Sequence, residues 1–338
     1  MRYLVTGHTG FKGSWLTMML KNDGHHVTGI ALAAPAGGLY REARLHELVD
    51  VDLELDIRDA AGLKAAFLAA KPDVVLHLAA QPLVRRSYQE PRETIETNVI
   101  GTLNVLEAAQ ALDTVRAQVV VTTDKVYRNV GRREGYLEGD PLGGADPYSA
   151  SKAMADILTQ SWVTSFRGAP TAVARAGNVI GGGDVSVDRL MPDLLDGYAA
   201  GRPVNIRNPG AVRPWQHVLD CLAGYRSLVD SLLTGTGTGE WNFGPGPESF
   251  VPVGELADTA AGFWGGSASW TTDSGSHPHE AKLLALDSSK ALNHLNWHNR
   301  LVFPESVEWT VEWQRRVLGG EEPRAVSMDQ LDRFTALV

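Results

Sequence analysis

A tyrosine and a lysine four residues apart, Tyr148 and Lys152 in DPYSASKAMADIL, are where chemistry can first be argued in this chain. Asp146-Pro147 just ahead of them starts a helix, with Asp as the N-cap and Pro at the first helical position. On that helix the two side chains share a face and can converge on one point. The chemistry that suits such a pair is hydride transfer at an alcohol. A phenol of ordinary pKa about 10 must be lowered by roughly three pH units, about 4 kcal/mol, to act as a base near neutrality. A lysine close by supplies about one to three of these, and an oxidised nicotinamide ring beside it would add positive charge. Among eight tyrosines the spacing alone arises by accident in roughly one such chain in five, so what positions the pair decides its meaning.

The stretch before that helix gives the position. VVVTT, from Val119 to Thr123, reads as a buried strand whose apolar run stops where Thr123, Asp124 and Lys125 begin. Polar side chains then stand at a strand's carboxyl end, where doubly wound sheets hold their ligands. Further upstream, Arg2 to Thr6 is an apolar strand followed by the turn GHTGFKG and an amphipathic helix carrying Trp15, Leu16, Met19 and Leu20. Gly7, Gly10 and Gly13, with Thr9, Phe11 and Lys12 between them, bring main chain and a helix N-terminus to a pyrophosphate. The spacing is G-x-x-G-x-x-G rather than G-x-G-x-x-G, and a glycine-rich turn can also be only a turn.

The next strand, Val27 to Leu32, ends in Ala-Leu-Ala-Ala-Pro, with neither an acid for an adenosine ribose nor an arginine for a 2′-phosphate. Asp52 to Ile57 is a third strand whose end, Asp56-Ile57, could face an adenine or be a solvated turn. Asp73 to Leu78 is a fourth. It runs into Ala79, Ala80 and Gln81, small residues against which a cofactor, or simply other main chain, can lie. The helix from about Pro91 to Ala111 buries Asn98, as a structural bond or part of a proton relay. Thr171 to Ala174 is another strand, leading to Arg175, Asn178 and the glycines 181–183. The alternation predicts an α/β fold, a Rossmann-type doubly wound parallel sheet.

From about Val185 the pattern breaks, and a smaller C-terminal substrate-binding lobe is expected. The expected division is a dinucleotide-binding domain over 1–184, with elements from 214–245 able to join its sheet, and a second domain over 185–338. The lobe gathers Arg189, Arg207, Arg213, Trp215 and His217 around the short strand Val204 to Ile206 and the loop NPGAVRPWQHVLD, as phosphate recognition beside a planar group requires. Solvated arginines around a core tryptophan are the alternative. Thr234 to Gly239 reads as a loop, and Trp309 with Trp313 as packing for a terminal helix.

With 338 residues, a net charge of −9 and no basic clusters, the chain is of enzyme size and is not built for nucleic acid. One cysteine, Cys221, excludes an intrachain disulfide, and no metal-ligand cluster is spelled, so no metal is expected. No signal-peptide pattern and no run long enough to span a bilayer is seen, which points to the cytoplasm.

Taken in order, TGHTGFKGSWL, HLAAQPLVRRSY, TNVIGTLNVLEA, TTDKVY, DPYSASK, GNVIGGGD and NPGAVRPWQHVL resemble the extended short-chain dehydrogenase/reductases, and within them the CDP-glucose 4,6-dehydratase family. HPHEA and LDSSKALNHLNW resemble that family's C-terminal region. The resemblance implies NAD, a nucleotide-sugar substrate, a hydro-lyase activity, and often a homodimer or higher homo-oligomer. It makes Tyr148 the base at the 4-hydroxyl, Lys152 the residue that lowers its pKa and holds the nicotinamide ribose, and Thr123 the hydroxyl on the 4-oxygen. Asp124 and Lys125 match the elimination pair; related dTDP-glucose dehydratases usually carry glutamate where Lys125 stands. Cofactor contacts are expected from Gly7, Thr9, Gly10, Phe11, Lys12, Gly13, Asp56, Ile57, Leu78, Ala79, Ala80, Gln81, Asn98, Tyr148 and Lys152. Substrate contacts are expected from Gln81, Arg85, Asn178, Arg189, Arg207, Arg213 (on the pyrophosphate) and His217. Two departures from the family stand out: Val185 where tryptophan is expected, and a glycine-rich stretch from Pro35 to Tyr40. The competing readings are a nucleotide-sugar epimerase or reductase of the same superfamily, and a non-catalytic dinucleotide-binding regulator.

Overall fold

The computed structural model describes residues 1–132, 134–273 and 283–337; HPHEA, residues 277–281, lies outside them. Seven parallel strands form the main sheet: β1 (Arg2–Thr6), β2 (His26–Ala31), β3 (Val51–Glu54), β4 (Val74–His77), β5 (Ala117–Val121), β6 (Thr171–Ala176) and β10 (Gly239–Phe243). Their spatial order is β10-β6-β5-β4-β1-β2-β3. The direction of winding reverses between β1 and β4, so a crevice opens beyond the carboxyl ends of those two strands. The central strands β4, β5 and β6 are buried along their whole length, as continuous apolar runs covered on both faces should be.

Helices cover both faces. One layer holds α1 (Phe11–Asn22) and α9 (Val218–Leu233), with the short α2 (Leu39–Glu42) beside them. The other holds α3 (Ala60–Ala70), α4 (Val84–Gln89), α5 (Pro91–Ile95), α6 (Gly101–Gln110) and α7 (Pro147–Ser165). The run expected as one helix from Pro91 to Ala111 is α5 and α6 joined by a π-turn at Glu96–Ile100. Asn98 sits in that wider turn. Its amide is spent on the main chain of Gln81 and on Ser151 Oγ rather than on solvent, and such turns recur where a helix must aim one residue.

The smaller lobe holds α8 (Leu190–Ala199), α10 (Val253–Trp264) and α12 (Glu305–Leu318), with a three-stranded sheet β11-β9-β7 and a two-stranded sheet β12-β8. The strands are β7 (Asn178–Ile180), β8 (Val204–Ile206), β9 (Val212–His217), β11 (Phe250–Pro252) and β12 (Trp270–Thr272). Two expectations are corrected here. The segment NPGAVRPWQHVLD is not a loop throughout: Val212–His217 is a central strand and Val218 begins α9, with Pro214 placed opposite Phe250 at the ladder's end. The third strand stops at Glu54, before Asp56. The C-terminal helices α11 (Ser289–Leu295) and α13 (Pro323–Ala336) pack back on the main core, where Trp309 and Trp313 of α12 are buried, as expected of them.

One buried acid ties this C-terminal segment to α9. Asp220 accepts from the main-chain N–H groups of Arg300 at 2.7 Å and Leu301 at 3.1 Å. Burial pushes its carboxyl up to about 7, against the pull of those two bonds. Asp220→Ala leaves both N–H groups without their acceptor, so a loss of about 2 to 4 kcal/mol is expected in urea unfolding, with Asp220→Asn losing less.

Candidate active site

The glycine turn follows β1 directly. Gly7 has φ +79, a left-handed conformation, and a Cβ there would stand 2.7 Å from the main-chain N of Ala79 at the end of β4. A Cβ on Gly13 would stand 2.1 Å from the Gly7 carbonyl oxygen. The first glycine lets the turn close onto β4, and the third lets α1 lie against the turn. Gly10 is the N-cap of α1 with no side-chain cap, so the first turn of a 12-residue helix opens onto the crevice with its N–H groups. Phe11 and Lys12 begin that helix; Thr9 Oγ1 donates to the Leu32 carbonyl at 3.0 Å, fastening the turn to β2. This cradle fits a dinucleotide pyrophosphate. Leu78, Ala79 and Ala80, half-buried after β4, form the opposite wall.

Other expected cofactor residues are already partnered. The Asp56 carboxylate grips its neighbour Arg58 at 2.6 and 2.9 Å and is held below its ordinary range by it. The Ile57 side chain packs where a Cβ of Gly101 would meet it, and its carbonyl accepts from Asn104. Gln81 donates to Leu83 O and Thr94 Oγ1 and accepts from Leu83 N, so its amide shapes the β4–α4 loop.

The residues expected to react meet at the end of β5. Asp146 caps α7 through Ser149 N at 2.9 Å and Pro147 takes the first helical position, which puts Tyr148 and Lys152 on the face toward the sheet, both buried. Ser87 Oγ accepts from Tyr148 N at 3.0 Å, Ser151 Oγ donates to Tyr148 O, and Lys152 Nζ donates to the Val121 carbonyl at 2.8 Å. Thr123 Oγ1 donates to Asp124 Oδ1 at 2.9 Å and lies close enough to the Tyr148 hydroxyl to act on it. A single 3-10 turn, Asp124–Val126, then carries Lys125 to 6.0 Å from the centre of the Tyr148 ring.

Burial dominates the electrostatics. It pushes the Tyr148 phenol up, opposed first by Arg189 and then by Thr123. It lowers Lys152 to about 8, with Asp156 opposing and Lys12 assisting. Asp124 is pushed up by burial although Lys125 pulls the other way. Lys125 is pushed down by burial, with Asp124 opposing and Arg189 and Arg213 assisting. Both members of the Asp124–Lys125 pair are therefore shifted toward their neutral forms.

The basic groups of the smaller lobe divide. Arg213 on β9 acts on both Asp124 and Lys125, and Arg189 at the N-cap of α8 acts on Lys125 and Tyr148. Asn178 opens β7, half-buried. Arg207 follows β8, half-buried. Arg85 is exposed and pairs with Asp188 at 2.7 Å, and Arg189 Nη2 donates to the Pro82 carbonyl at 3.5 Å, so these two arginines span the two lobes. His217 is corrected as a substrate contact. It is fully buried, caps α9 by accepting from Leu219 N, packs edge-on against Trp309 and is lowered by burial to about 3. Trp215 is buried beside it, its indole donating to Val251 O.

The sequence reading missed a buried pair, Arg175 on β6 and Asp156 on α7, joined through Nε and Nη2 of the guanidinium at 2.8 and 2.7 Å. It also missed His77 at the end of β4, which bonds Thr6 and Thr102 and is lowered by burial to about 3. One signal was available. Asp156 lies one turn beyond Lys152, and a charge that close to a functional lysine needs a counter-charge from elsewhere.

A seven-stranded parallel sheet with a glycine turn at its switch point, and a tyrosine–lysine helix facing β5, define a Rossmann-type oxidoreductase scaffold of the extended short-chain class. The chain belongs to the NAD dependent epimerase/dehydratase family, which it matches over residues 3–244. It is 44% identical to the CDP-glucose 4,6-dehydratase of Salmonella typhimurium, over 98% of this chain and 96% of that one. It is 29% identical to the dTDP-glucose 4,6-dehydratase of Xanthomonas campestris, over 92% of each. Among solved structures, the UDP-glucose 4-epimerase of Thermus thermophilus in complex with NAD superposes with a TM-score of 0.79 at 26% identity, covering 93% of this chain and 99% of that one. The cofactor of this family is NAD, and the residues of the glycine turn fit it.

Arg213 acts by its charge on Asp124 and Lys125 from the smaller lobe, while the glycine turn lies in the main one. Arg213→Ala is expected to weaken sugar-nucleotide binding by about 1.5 to 3 kcal/mol and leave NAD binding nearly unchanged. Calorimetry with each ligand separates the two; equal losses would contradict it.

Proposed function

We propose that this chain dehydrates CDP-glucose to CDP-4-keto-6-deoxyglucose, by oxidation at carbon 4, elimination of water across carbons 5 and 6, and return of hydride to carbon 6. The observation that carries this reading is the pair Asp124 and Lys125, side by side at the end of β5 and both driven toward neutrality by burial. The likeness to the Salmonella CDP-glucose 4,6-dehydratase supports the cytidine nucleotide. Bound NAD supplies the hydride acceptor and, later, the donor. The rest falls to side chains. Tyr148 takes the 4-hydroxyl proton, Thr123 bonds the 4-oxygen, and Lys152, anchored on the Val121 carbonyl, holds the nicotinamide ribose and supplies the nearby charge. Neutral Lys125 removes the carbon-5 proton, which oxidation at carbon 4 has acidified. The Asp124 carboxyl protonates the departing 6-hydroxyl. Arg213 and Arg189 approach from the side where the pyrophosphate enters, with Asn178, Arg207 and Arg85 around the sugar nucleotide.

In this reading 1–184, with elements from 214–245, forms most of the NAD domain and 185–338 mainly the sugar-nucleotide domain, with β7 on the side of the smaller lobe and α11 and α13 on the side of the main core. The enzyme works in the cytoplasm, where no described helix is long and apolar enough to cross a membrane, and its product feeds deoxysugar synthesis. It forms a homodimer or higher homo-oligomer, for which the exposed Ile95, Ile100, Met154 and Ile157, on α5, the π-turn and α7, offer apolar surface. Incubation with CDP-glucose, dTDP-glucose and GDP-mannose, followed by mass spectrometry, tests the assignment. Loss of one water from CDP-glucose is expected. A product of unchanged mass would indicate an epimerase, and binding of NAD without turnover a regulator.

A further inference from the structure

We propose that Arg175 is a positioning residue for the elimination step: through Tyr127 it fixes the turn that carries Asp124 and Lys125, and through Asp156 it ties that turn to the helix of Tyr148 and Lys152. This rests on the dehydratase reading above. Arg175 is the penultimate residue of β6, 1% exposed, and its carboxylate partner is fully buried. Its Nη1 donates to the Tyr127 hydroxyl at 2.7 Å and to the Glu138 carbonyl at 2.9 Å, and its guanidinium carbon lies 5.0 Å from the centre of the Tyr127 ring. The Tyr127 hydroxyl in turn donates at 2.7 Å to Asn242 Oδ1. Asn242 is the residue paired with Arg175 across β10 and β6, and its amide donates to the carbonyls of Tyr136 and Asp287. Gly177, two residues beyond Arg175, faces Asp124; a Cβ there would stand 3.0 Å from Asp124 Oδ2.

Both ends of this device have other anchors. Helix α7 is held by Ser87 on Tyr148 N, Asn98 on Ser151 and Thr122 Oγ1 on Asp156. The Asp124–Val126 turn is held by the Gly143 N–H on the Val126 carbonyl at 2.8 Å, and Tyr127 after it bridges to Leu142 and stacks on Tyr136. Arg175 reaches α7 only one turn beyond Lys152, through Asp156, but reaches the residue directly after the turn, through the Tyr127 hydroxyl. Loosening Arg175 should therefore displace the elimination pair before it displaces Tyr148 or Lys152. A buried ion pair is also a poor source of stability compared with apolar residues of similar size, so its place behind the site calls for another role. Neither partner is a catalytic residue in this account.

Tyr127→Phe is the mild probe and Arg175→Lys the direct one, since lysine cannot reproduce a planar fork with two partners. In single turnovers with NAD and CDP-glucose, NADH absorbance should rise near the parental rate in both variants and decay slower by up to about a hundredfold. The KM for CDP-glucose should stay parental. Hydrogen exchange should quicken at the amides of 123–127 and not at those of 148–160. The double variant Arg175→Met, Asp156→Leu removes the pair together but also the charge that raises Lys152, so only its fold and its decay are read; it should fold and still decay slowly, which separates positioning from stability. Equal slowing of rise and decay, or unchanged exchange at 123–127, would overturn the proposal. If the parental enzyme forms no keto sugar from CDP-glucose, the dehydratase reading fails by itself, and the exchange measurement alone decides whether Arg175 holds the turn.

Discussion

Tyr148→Phe is expected to lower kcat about a thousandfold while leaving the fold and the affinity for sugar nucleotide close to parental. The phenol is buried, and a phenyl ring fills the same space. Removing its oxygen strands little, because Thr123 Oγ1 keeps Asp124 Oδ1 as a partner at 2.9 Å, so the stability cost should be about 1 kcal/mol. What is lost is the acceptor for the 4-hydroxyl proton. Burial holds the Tyr148 phenol high, against Arg189 and Thr123; ionisation therefore depends on positive charge, supplied by Arg189 and, in the proposed mechanism, by Lys152 on the same face of α7. The remaining activity should not rise with pH as the parental limb does. Steady-state rates across pH, with calorimetric binding of CDP-glucose to the variant, check both halves; near-parental kcat would remove Tyr148 from the role of base.

Much of this site was legible because its signals are local. A Pro at the first helical position, an Asp before it and a lysine one turn after a tyrosine fix their own geometry, and α7 starts where they place it. The glycine turn is similar, since Gly7 and Gly13 are required by contacts with Ala79 and with the turn itself. The fold's parallel half followed from alternating apolar runs. What could not be read was direction and distant pairing. His217 stood among arginines and a tryptophan in the chain, yet β9 turns it inward to cap α9. Pro209 and Pro214 disguised β9 as a loop. Arg175 and Asp156 belong to separate elements, and neither announces the other. Val185 and the glycine-rich stretch, noted as separate departures, meet in space: a Cβ on Gly38 would stand 3.5 Å from Val185 Cγ2. They are one feature of the junction between the lobes, where Leu39 N also donates to the Gly183 carbonyl.

Lys125→Met should separate the chemical steps. To remove the carbon-5 proton Lys125 must be neutral, and a lysine of ordinary pKa about 10.4 is overwhelmingly charged at neutral pH. Burial lowers it here, with Arg189 and Arg213 assisting and Asp124 opposing. That opposition vanishes when Asp124 is protonated, and burial raises Asp124 toward that state. The two requirements reinforce each other: a carboxyl able to protonate the leaving hydroxyl is also one that no longer holds the lysine charged. Elimination should therefore fail on the acid side as Lys125 becomes an ammonium, and on the alkaline side as Asp124 loses its proton. Methionine keeps the length and apolar stem of lysine without the amine. It also removes the charge that pulls Asp124 down, so the carboxyl stays protonated and the acid survives the substitution. Only the base is missing. The variant should still oxidise carbon 4, and enzyme-bound NADH should accumulate under single-turnover conditions. Loss of water should slow by about a hundredfold to ten-thousandfold, and exchange of the carbon-5 proton with solvent deuterium should disappear. Exchange at the parental rate would mean that another group removes that proton, and Lys125 would be left with the role of a neighbour that tunes Asp124.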